Sequence, residues 1–109
     1  MITWEQFEVV DIRSGTIIEA EVFEGARVPA YKLKIDFGAL GIKRSSAQIT
    51  DYYNPQDLVG TQIVAVINFP PKQIANFFSE CLVLGVVEPG KKVILLQPTQ
   101  ACENGLRIA

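Results

Sequence analysis

Histidine is absent from this 109-residue chain, and that absence excludes several kinds of chemistry. Without an imidazole there is no Ser-His-Asp triad, no Cys-His pair and no His-ligated metal. The only two cysteines, Cys81 and Cys102, form neither a CxxC motif nor a disulfide framework. No glycine-rich phosphate-binding motif is present either. The sequence therefore predicts no catalytic site, no metal and no cofactor, and it favours a binding protein over an enzyme.

Long apolar runs are also missing, although hydrophobic residues make up 49% of the chain. No run reaches the ~18 residues that a membrane helix needs. The first residues are acidic where a signal peptide would be basic and then apolar. A chain of this length can bury one core but not two. We therefore expect a single domain over residues 1–109, in a soluble cytoplasmic protein with no membrane insertion.

Charge is unevenly distributed, although the net charge is only −2. Residues 1–24 carry one positive and six negative side chains, whereas residues 25–72 carry six positive and three negative ones. Residues 73–109 carry three of each sign. A basic middle segment in an acidic chain is compatible with a small RNA-facing patch. Charge alone favours the alternative, a charged surface strand that has no partner, but the pattern leaves both readings open.

The chain begins with the signals of a short helix and then changes to a period of two. Thr3 and Gln6 have the spacing of a capping box. Apolar and charged residues then alternate through 10–22, and Gly15 predicts a bend or bulge in that strand. Further strands are predicted over 31–37, 42–49, 62–69, 81–87 and 92–96, and a short helix over 54–60.

These elements amount to about five long strands with a short helix between the third and the fourth. That order is typical of the OB-fold, a five-stranded, partly open Greek-key barrel. The predicted fold class is therefore all-β. The stretch 72–79 is compatible with more than one local structure, and the pattern does not decide between them.

Several stretches of the chain resemble the family of tRNA-binding OB domains, some of which are appended to aminoacyl-tRNA synthetases. Within that family the chain is most similar to a branch of bacterial secretion-related chaperones. The similarity runs nearly end to end with its spacing kept, over residues 10–17, 26–33, 45–50, 68–75, 79–85 and 104–105. The resemblance implies an OB-fold homodimer whose chain ends contribute to the interface. It also implies two activities, namely binding of unfolded preproteins and binding of tRNA.

The wider family has an Asn-Leu-Lys-Pro-x-Lys stretch after its fourth strand, and this chain keeps only part of it. Asn68, Pro71 and Lys72 resemble the family's Asn, Pro and Lys. An Arg-Gly pair that the family has further on is replaced here at 74–76. Of the family's Ser-x-Gly-Met, Ser79 is kept but the Gly and the Met are not. These departures resemble the chaperone branch.

The OB-fold binds its ligands on the face of its second and third strands, with flanking loops. On the functional reading, cationic residues there meet phosphates and polar residues hydrogen-bond the ligand. On the structural reading, Ser45 and Ser46 are ordinary strand residues on opposite faces, and Asn68 caps the end of a strand. The candidate residues for RNA or peptide binding are Lys43, Arg44, Ser45, Ser46, Gln48, Asn68, Lys72, Phe77, Phe78, Ser79 and Glu80.

Adjacent aromatic residues and apolar chain ends complete the set of candidates. Neighbours in a strand point to opposite faces, so either Phe77 or Phe78 could stack on a base or touch an apolar peptide. Alternatively, both pack into the core or into a dimer interface. The candidate dimer residues, which are apolar and lie near the ends of the chain, are Ile2, Trp4, Phe7, Leu106 and Ile108.

Overall fold

The computed structural model describes residues 1–109 as a mostly β protein. Its helices are α1 (Trp4–Val9) and α2 (Pro55–Leu58), with a 3-10 turn at Gly38–Leu40. None of them is long enough to cross a membrane. The strands are β1 (Ile12–Val22), β2 (Tyr31–Asp36), β3 (Ile42–Ala47), β4 (Gln62–Val66), β5 (Lys72–Ile74), β6 (Phe77–Ser79), β7 (Leu82–Val83), β8 (Gly85–Val87) and β9 (Val93–Leu95).

Five strands form one antiparallel sheet in the order β3-β2-β1-β4-β7, which curls into a nearly closed barrel. The long β1 makes this possible, because its first half pairs with β4 and its second half pairs with β2. The hairpins β5–β6 and β8–β9 lie outside this sheet. The predicted all-β, OB-type barrel with short helices is confirmed, including α2 between the third and fourth strands.

The barrel core follows directly from the alternation of residues along β2. Tyr31, Leu33 and Ile35 are buried, whereas Lys32 and Lys34 between them point away from the core. The residues that are buried together in the core are Ile17, Tyr31, Leu33, Ile35, Phe37, Ala47, Ile49, Leu58, Ile63, Ala65, Cys81 and Leu95. The predicted capping box of α1 is also present, because Thr3 and Gln6 each accept a backbone N–H of the other.

The predicted bulge at Gly15 is wrong in position. The register of β1 against β2 shifts between Ile17 and Glu19, and Gly15 pairs regularly with Ile63. Core packing instead requires a glycine at this position, since a Cβ on Gly15 would lie 2.7 Å from the Phe37 ring. The strand therefore lacks a side chain there because the Phe37 ring occupies the space.

The prediction of one buried strand over 81–87 is also wrong. That stretch divides into β7, which belongs to the barrel, and β8, which leaves the barrel to pair with β9. Val86 and Val87 are more than half exposed. The undecided stretch 72–79 forms the β5–β6 hairpin. β3 and β4 end earlier than predicted, at Ala47 and Val66.

The C-terminal residues bind along the edge of β1 that β2 leaves free. Ser14 N–H donates to the Leu106 carbonyl at 3.0 Å, and Ile108 N–H donates to the Ile12 carbonyl at 2.9 Å. Gly105 has φ of 84° and lies so close to Phe37 that a Cβ would collide with the Phe37 carbonyl. The tail is thereby held against the barrel near α1.

Candidate functional site

The barrel closes between β3 and the segment that joins β6 to β7. Glu80 N–H donates to the Arg44 carbonyl at 2.8 Å, and Arg44 N–H donates to Glu80 Oε1 at 2.9 Å. Ser45 Oγ, which is buried, donates to the Cys81 carbonyl at 2.9 Å. Ser46 N–H donates to Ser79 Oγ at 3.1 Å. Side-chain hydrogen bonds therefore replace part of the backbone hydrogen-bond ladder that would close a regular barrel.

An apolar groove of about 840 Å³ opens where this closure stops. One side is formed by residues 46–49 at the end of β3, and the other by residues 81–85 around β7. The connection after β4 and the inner side of the β8–β9 hairpin complete it. The lining residues are Ser46, Ala47, Gln48, Ile49, Phe69, Pro70, Pro71, Lys72, Ile74, Ser79, Cys81, Leu82, Val83, Leu84, Gly85, Val87 and Val93.

The backbone N–H and carbonyl of Gln48, at the mouth of the apolar groove, form no hydrogen bond within the chain. Arg44 and Ser46 direct their backbone N–H groups toward residues 79–80. Gln48 continues the same alternation, but neither its N–H nor its carbonyl has a partner within the chain. A strand end with free donors and acceptors beside apolar pockets can accept an extended peptide by β-augmentation.

A second surface, the charged face, lies on the outward side of β1, β2 and β3. Lys32 Nζ is 3.3 Å from Glu21 Oε1, and Lys34 Nζ is 3.3 Å from Glu19 Oε2. The third ion pair of the charged face joins Arg44 Nε to Glu80 Oε1 at 3.5 Å. Three of the six basic side chains in residues 25–72, those of Lys32, Lys34 and Arg44, are therefore matched here by carboxylates.

The two adjacent phenylalanines lie in different environments. Phe77 is buried and packs edge-on against Phe23, with ring centroids 5.3 Å apart. Two cations lie over the Phe77 ring, Lys32 at 5.8 Å and Arg44 at 5.4 Å from its centroid. Phe78 is 44% exposed. Only Phe78 therefore presents a ring to solvent, and it lies outside the lining of the apolar groove.

The remaining polar candidates divide between the apolar groove and the scaffold. Ser46, Gln48, Lys72 and Ser79 line the groove. Asn68 does not, because its side chain accepts Asp11 N–H at 3.0 Å and donates to the Val9 carbonyl at 2.8 Å, which fastens α1 to the end of β4.

Lys43 and Lys72 differ from Arg44, the third basic candidate, because neither forms an ion pair. No carboxylate oxygen lies within 4.0 Å of either ammonium group. Lys72 is exposed at the rim of the apolar groove, and Lys43 is half-buried on β3. These two lysines are the candidate residues whose charge is available to an anionic ligand.

Cys81 lies at the boundary between the barrel core and the apolar groove. Burial raises the pKa of its thiol to about 11, despite an opposing hydrogen bond with Ser45. A thiol with so high a pKa is protonated at neutral pH and therefore a poor nucleophile. Cys102 is exposed, and both thiols are free.

The strongest apolar contributors to the groove were missed at the level of sequence. Phe69, Pro70 and Leu82 are all exposed on its lining, with Phe69 at 53% and Leu82 at 48%. A possible signal was the pair of prolines after a strand, since neither can continue a ladder. The sequence alone does not show that this connection faces β7 across an open space.

Three of the five candidate dimer residues come together as a terminal cluster, and Ile2 and Leu106 lie two residues from it in the sequence. Trp4, Phe7 and Ile108 line one small cavity between α1 and the tail. Arg107 fastens the two ends by donating from Nη2 to the Glu8 carbonyl at 2.7 Å. Trp4 is 81% exposed and no residue of α1 is buried. The chain itself therefore leaves Trp4 uncovered, whereas Phe7 is partly buried.

Comparison with known proteins shows where this barrel occurs. The family described as "Putative tRNA binding domain" matches residues 12–107. Methionine–tRNA ligases from Methanococcoides burtonii and Francisella tularensis are 30% and 34% identical over 105 and 106 residues, which are 96% and 97% of this chain. The chain spans only about 15% of the length of either ligase.

Two solved structures match the chain over its full length. The chaperone CsaA from Bacillus anthracis is 57% identical with a TM-score of 0.96, covering 100% of this chain and 99% of that one. The CsaA chaperone protein from Picrophilus torridus is 54% identical with a TM-score of 0.93, covering all of both chains. The resemblance to a chaperone branch is thereby confirmed.

Proposed function

Because this chain belongs to the tRNA-binding domain family, we propose that it is a homodimeric binding protein of the chaperone type. Its ligands are unfolded polypeptide segments rich in apolar residues, such as those that secretory preproteins expose. The apolar groove beside the free strand end at Gln48 carries this proposal. The CsaA names of two structural matches that are more than 50% identical over the full length support it. Two free cysteines fit a cytoplasmic location, where thiols stay reduced.

The lining of the apolar groove suits a segment in extended conformation. Ten of its 17 lining residues are hydrophobic, and none is acidic or basic apart from Lys72. The free N–H and carbonyl of Gln48 would bond the peptide backbone, while alternate side chains enter the groove. Backbone bonds do not depend on sequence, so a site of this kind accepts many apolar segments.

Leu82 provides the test. Replacing it by Gln places an amide in the apolar groove. Leu82 is 48% exposed, so a bound peptide would bury about half of its side chain, and losing that burial costs about 1 kcal/mol. Leu82→Gln is therefore expected to weaken binding of a fluorescent apolar preprotein peptide about fivefold, as measured by anisotropy.

Ile42 is the matched control. It is also an exposed β-strand residue, at 59%, but it lies outside the groove lining. Ile42→Gln should bind the peptide like the wild type. Equal affinity in the wild type and Leu82→Gln would rule out the groove as the peptide site.

The homodimer rests on the terminal cluster. Trp4 and Leu106 are 81% and 47% exposed in the single chain, and Ile2 is 72% exposed. Apolar residues concentrated in this way usually mark an interface. A two-fold arrangement would let α1 and the tail of one protomer cover those of its partner.

RNA binding is a second candidate function, which the family match and two unpaired cations favour. Lys43 and Lys72 would contact phosphates, which supply affinity without reading sequence. Replacing either by Ala should weaken binding of all tRNAs alike and reduce the salt slope by about one contact. An unchanged slope in both variants would argue against phosphate contacts at these lysines.

A further inference from the structure

The charged face occupies the surface that an OB-fold ordinarily offers to a ligand, yet its charges cancel. Three cations, Lys32, Lys34 and Arg44, are paired one to one with three carboxylates. Five of these six side chains line one pocket of about 510 Å³ around Phe77, and Glu80 joins it through Arg44. A polyanion that approached this pocket would meet as many negative as positive groups.

We propose that Glu19, Glu21 and Glu80 are specificity-determining residues that keep nucleic acids off the charged face. They do so by occupying the cations that would otherwise contact phosphates. This inference rests on the proposed function, since it explains how a protein with a tRNA-binding fold favours polypeptide over RNA. It concerns the charged face and not the apolar groove, so an experiment can contradict this inference without contradicting the proposed function, and the reverse.

Stability offers little reason for these ion pairs. The side chains of the three pairs are between 34% and 70% exposed. Exposed pairs of this kind contribute only about 0–1 kcal/mol each. The carboxylates of these pairs have a larger effect on the binding of a nucleic acid, because they place negative charges opposite its phosphates. Proteins often obtain specificity by such repulsion of an unwanted ligand.

Two of the three cations, Lys32 and Arg44, would remain in place without their carboxylates. Lys32 and Arg44 both lie over the buried Phe77 ring, at 5.8 and 5.4 Å from its centroid, and cation–π attraction holds them there. Glu80→Gln retains a side-chain oxygen for the Arg44 N–H, which Glu80 Oε1 accepts at 2.9 Å. Glutamine substitutions therefore remove charge and leave the barrel closure intact.

The test is the triple variant Glu19→Gln/Glu21→Gln/Glu80→Gln, with fluorescent tRNA as the probe. Each freed cation is expected to raise affinity roughly five- to tenfold at 0.1 M salt and to steepen the slope of log K against log salt by about 0.7–0.9. Binding is measured by anisotropy at several salt concentrations. An apolar peptide serves as a second ligand to verify that the apolar groove is intact.

The control is Glu5→Gln/Glu8→Gln/Glu103→Gln, which changes the net charge equally but away from the charged face. None of these three carboxylates forms an ion pair. The proposal is supported if the first triple variant gains tRNA affinity and slope well beyond the control, whether or not the wild type binds tRNA.

The proposal is overturned if both triple variants bind tRNA equally, or if neither binds. Failure of the proposed function has a different signature. In that case the wild type does not bind the apolar peptide, whatever the carboxylate variants do with tRNA.

Discussion

At the residue scale, the physical reason for a residue is often found in a neighbour distant in sequence. Cys81 lies in the segment that joins β6 to β7, and its thiol donates to the Arg44 carbonyl at 3.7 Å across the barrel closure. Gly15 lacks a side chain because Phe37, 22 residues later in the chain, fills that space. Each of these two residues yields a prediction about stability.

Cys81 should make the protein less stable at alkaline pH. The pKa of its thiol is raised from 9.0 to about 11 in the folded state, so folding favours the protonated form. Its contribution is fully present below pH 9 and is lost as the pH rises toward 11. The loss is about 2–3 kcal/mol of unfolding free energy.

The measurement is urea unfolding at pH 8 and pH 11 for the wild type and Cys81→Ala. The wild type should lose more stability than the variant over this interval. Parallel losses in the two proteins would show that the thiol does not ionise differently on folding.

Gly15 should not tolerate even a methyl group. In Gly15→Ala the new Cβ would lie 2.7–2.8 Å from the Phe37 and Ile35 side chains, and overpacking of this kind costs about 1–3 kcal/mol. At Gly25 the nearest side chain to a new Cβ is 3.4 Å away. Thermal melts should therefore show a large loss for Gly15→Ala and little change for Gly25→Ala, and similar melts would contradict the packing.

At the element scale, the β8–β9 hairpin forms one wall of the apolar groove but lies outside the barrel sheet. Two consecutive tyrosines fasten it. Tyr53 Oη accepts the Leu95 N–H at 3.0 Å, and Tyr52 Oη donates to Glu88. Tyr31 in turn donates to the Tyr53 carbonyl at 2.6 Å. The position of the wall thus depends on a few hydrogen bonds.

Tyr53→Phe should loosen the hairpin without unfolding the barrel. The change leaves the N–H of the buried Leu95 without a partner, which costs about 1–3 kcal/mol. Hydrogen exchange at Leu95 should accelerate about tenfold or more. Tyr52→Phe removes only a bond between exposed groups and should have a smaller effect at Leu95. Unchanged exchange in Tyr53→Phe would show that the hairpin is held by other contacts.

Local patterns predicted the barrel elements well and the apolar groove poorly, for a physical reason. The alternation of Tyr31, Leu33 and Ile35 with lysines is decided within β2 itself. The division of residues 81–87 into β7 and β8 depends on two different pairing partners, since β7 pairs back to the distant β4 whereas β8 pairs forward to β9 in a local hairpin. Likewise, the basic segment gave no sign that Glu19, Glu21 and Glu80 would face its cations.

At the scale of the whole molecule, the two ends of the chain meet on one side of the barrel. α1 and the tail join through Arg107 and the edge of β1. Trp4 and Leu106 there are 81% and 47% exposed, while the apolar groove is lined by other elements. Assembly and ligand binding are therefore expected to be separable.

Trp4→Ala should weaken the proposed dimer before it affects the barrel, because no residue of α1 is buried in the single chain. Sedimentation equilibrium should give the mass of two chains for the wild type at micromolar concentration and a lower mass for the variant. A wild-type mass near 12.0 kDa would contradict the dimer.

The most direct test of peptide binding is a map of amide chemical shifts as an apolar preprotein peptide is added to the isotope-labelled protein. We expect the largest shifts along both sides of the apolar groove, at residues 46–49 and 82–85, with Gln48 N–H moving as it gains a partner. Shifts concentrated instead on the charged face, at Lys32, Lys34 and Arg44, would contradict the assignment of the groove as the polypeptide site.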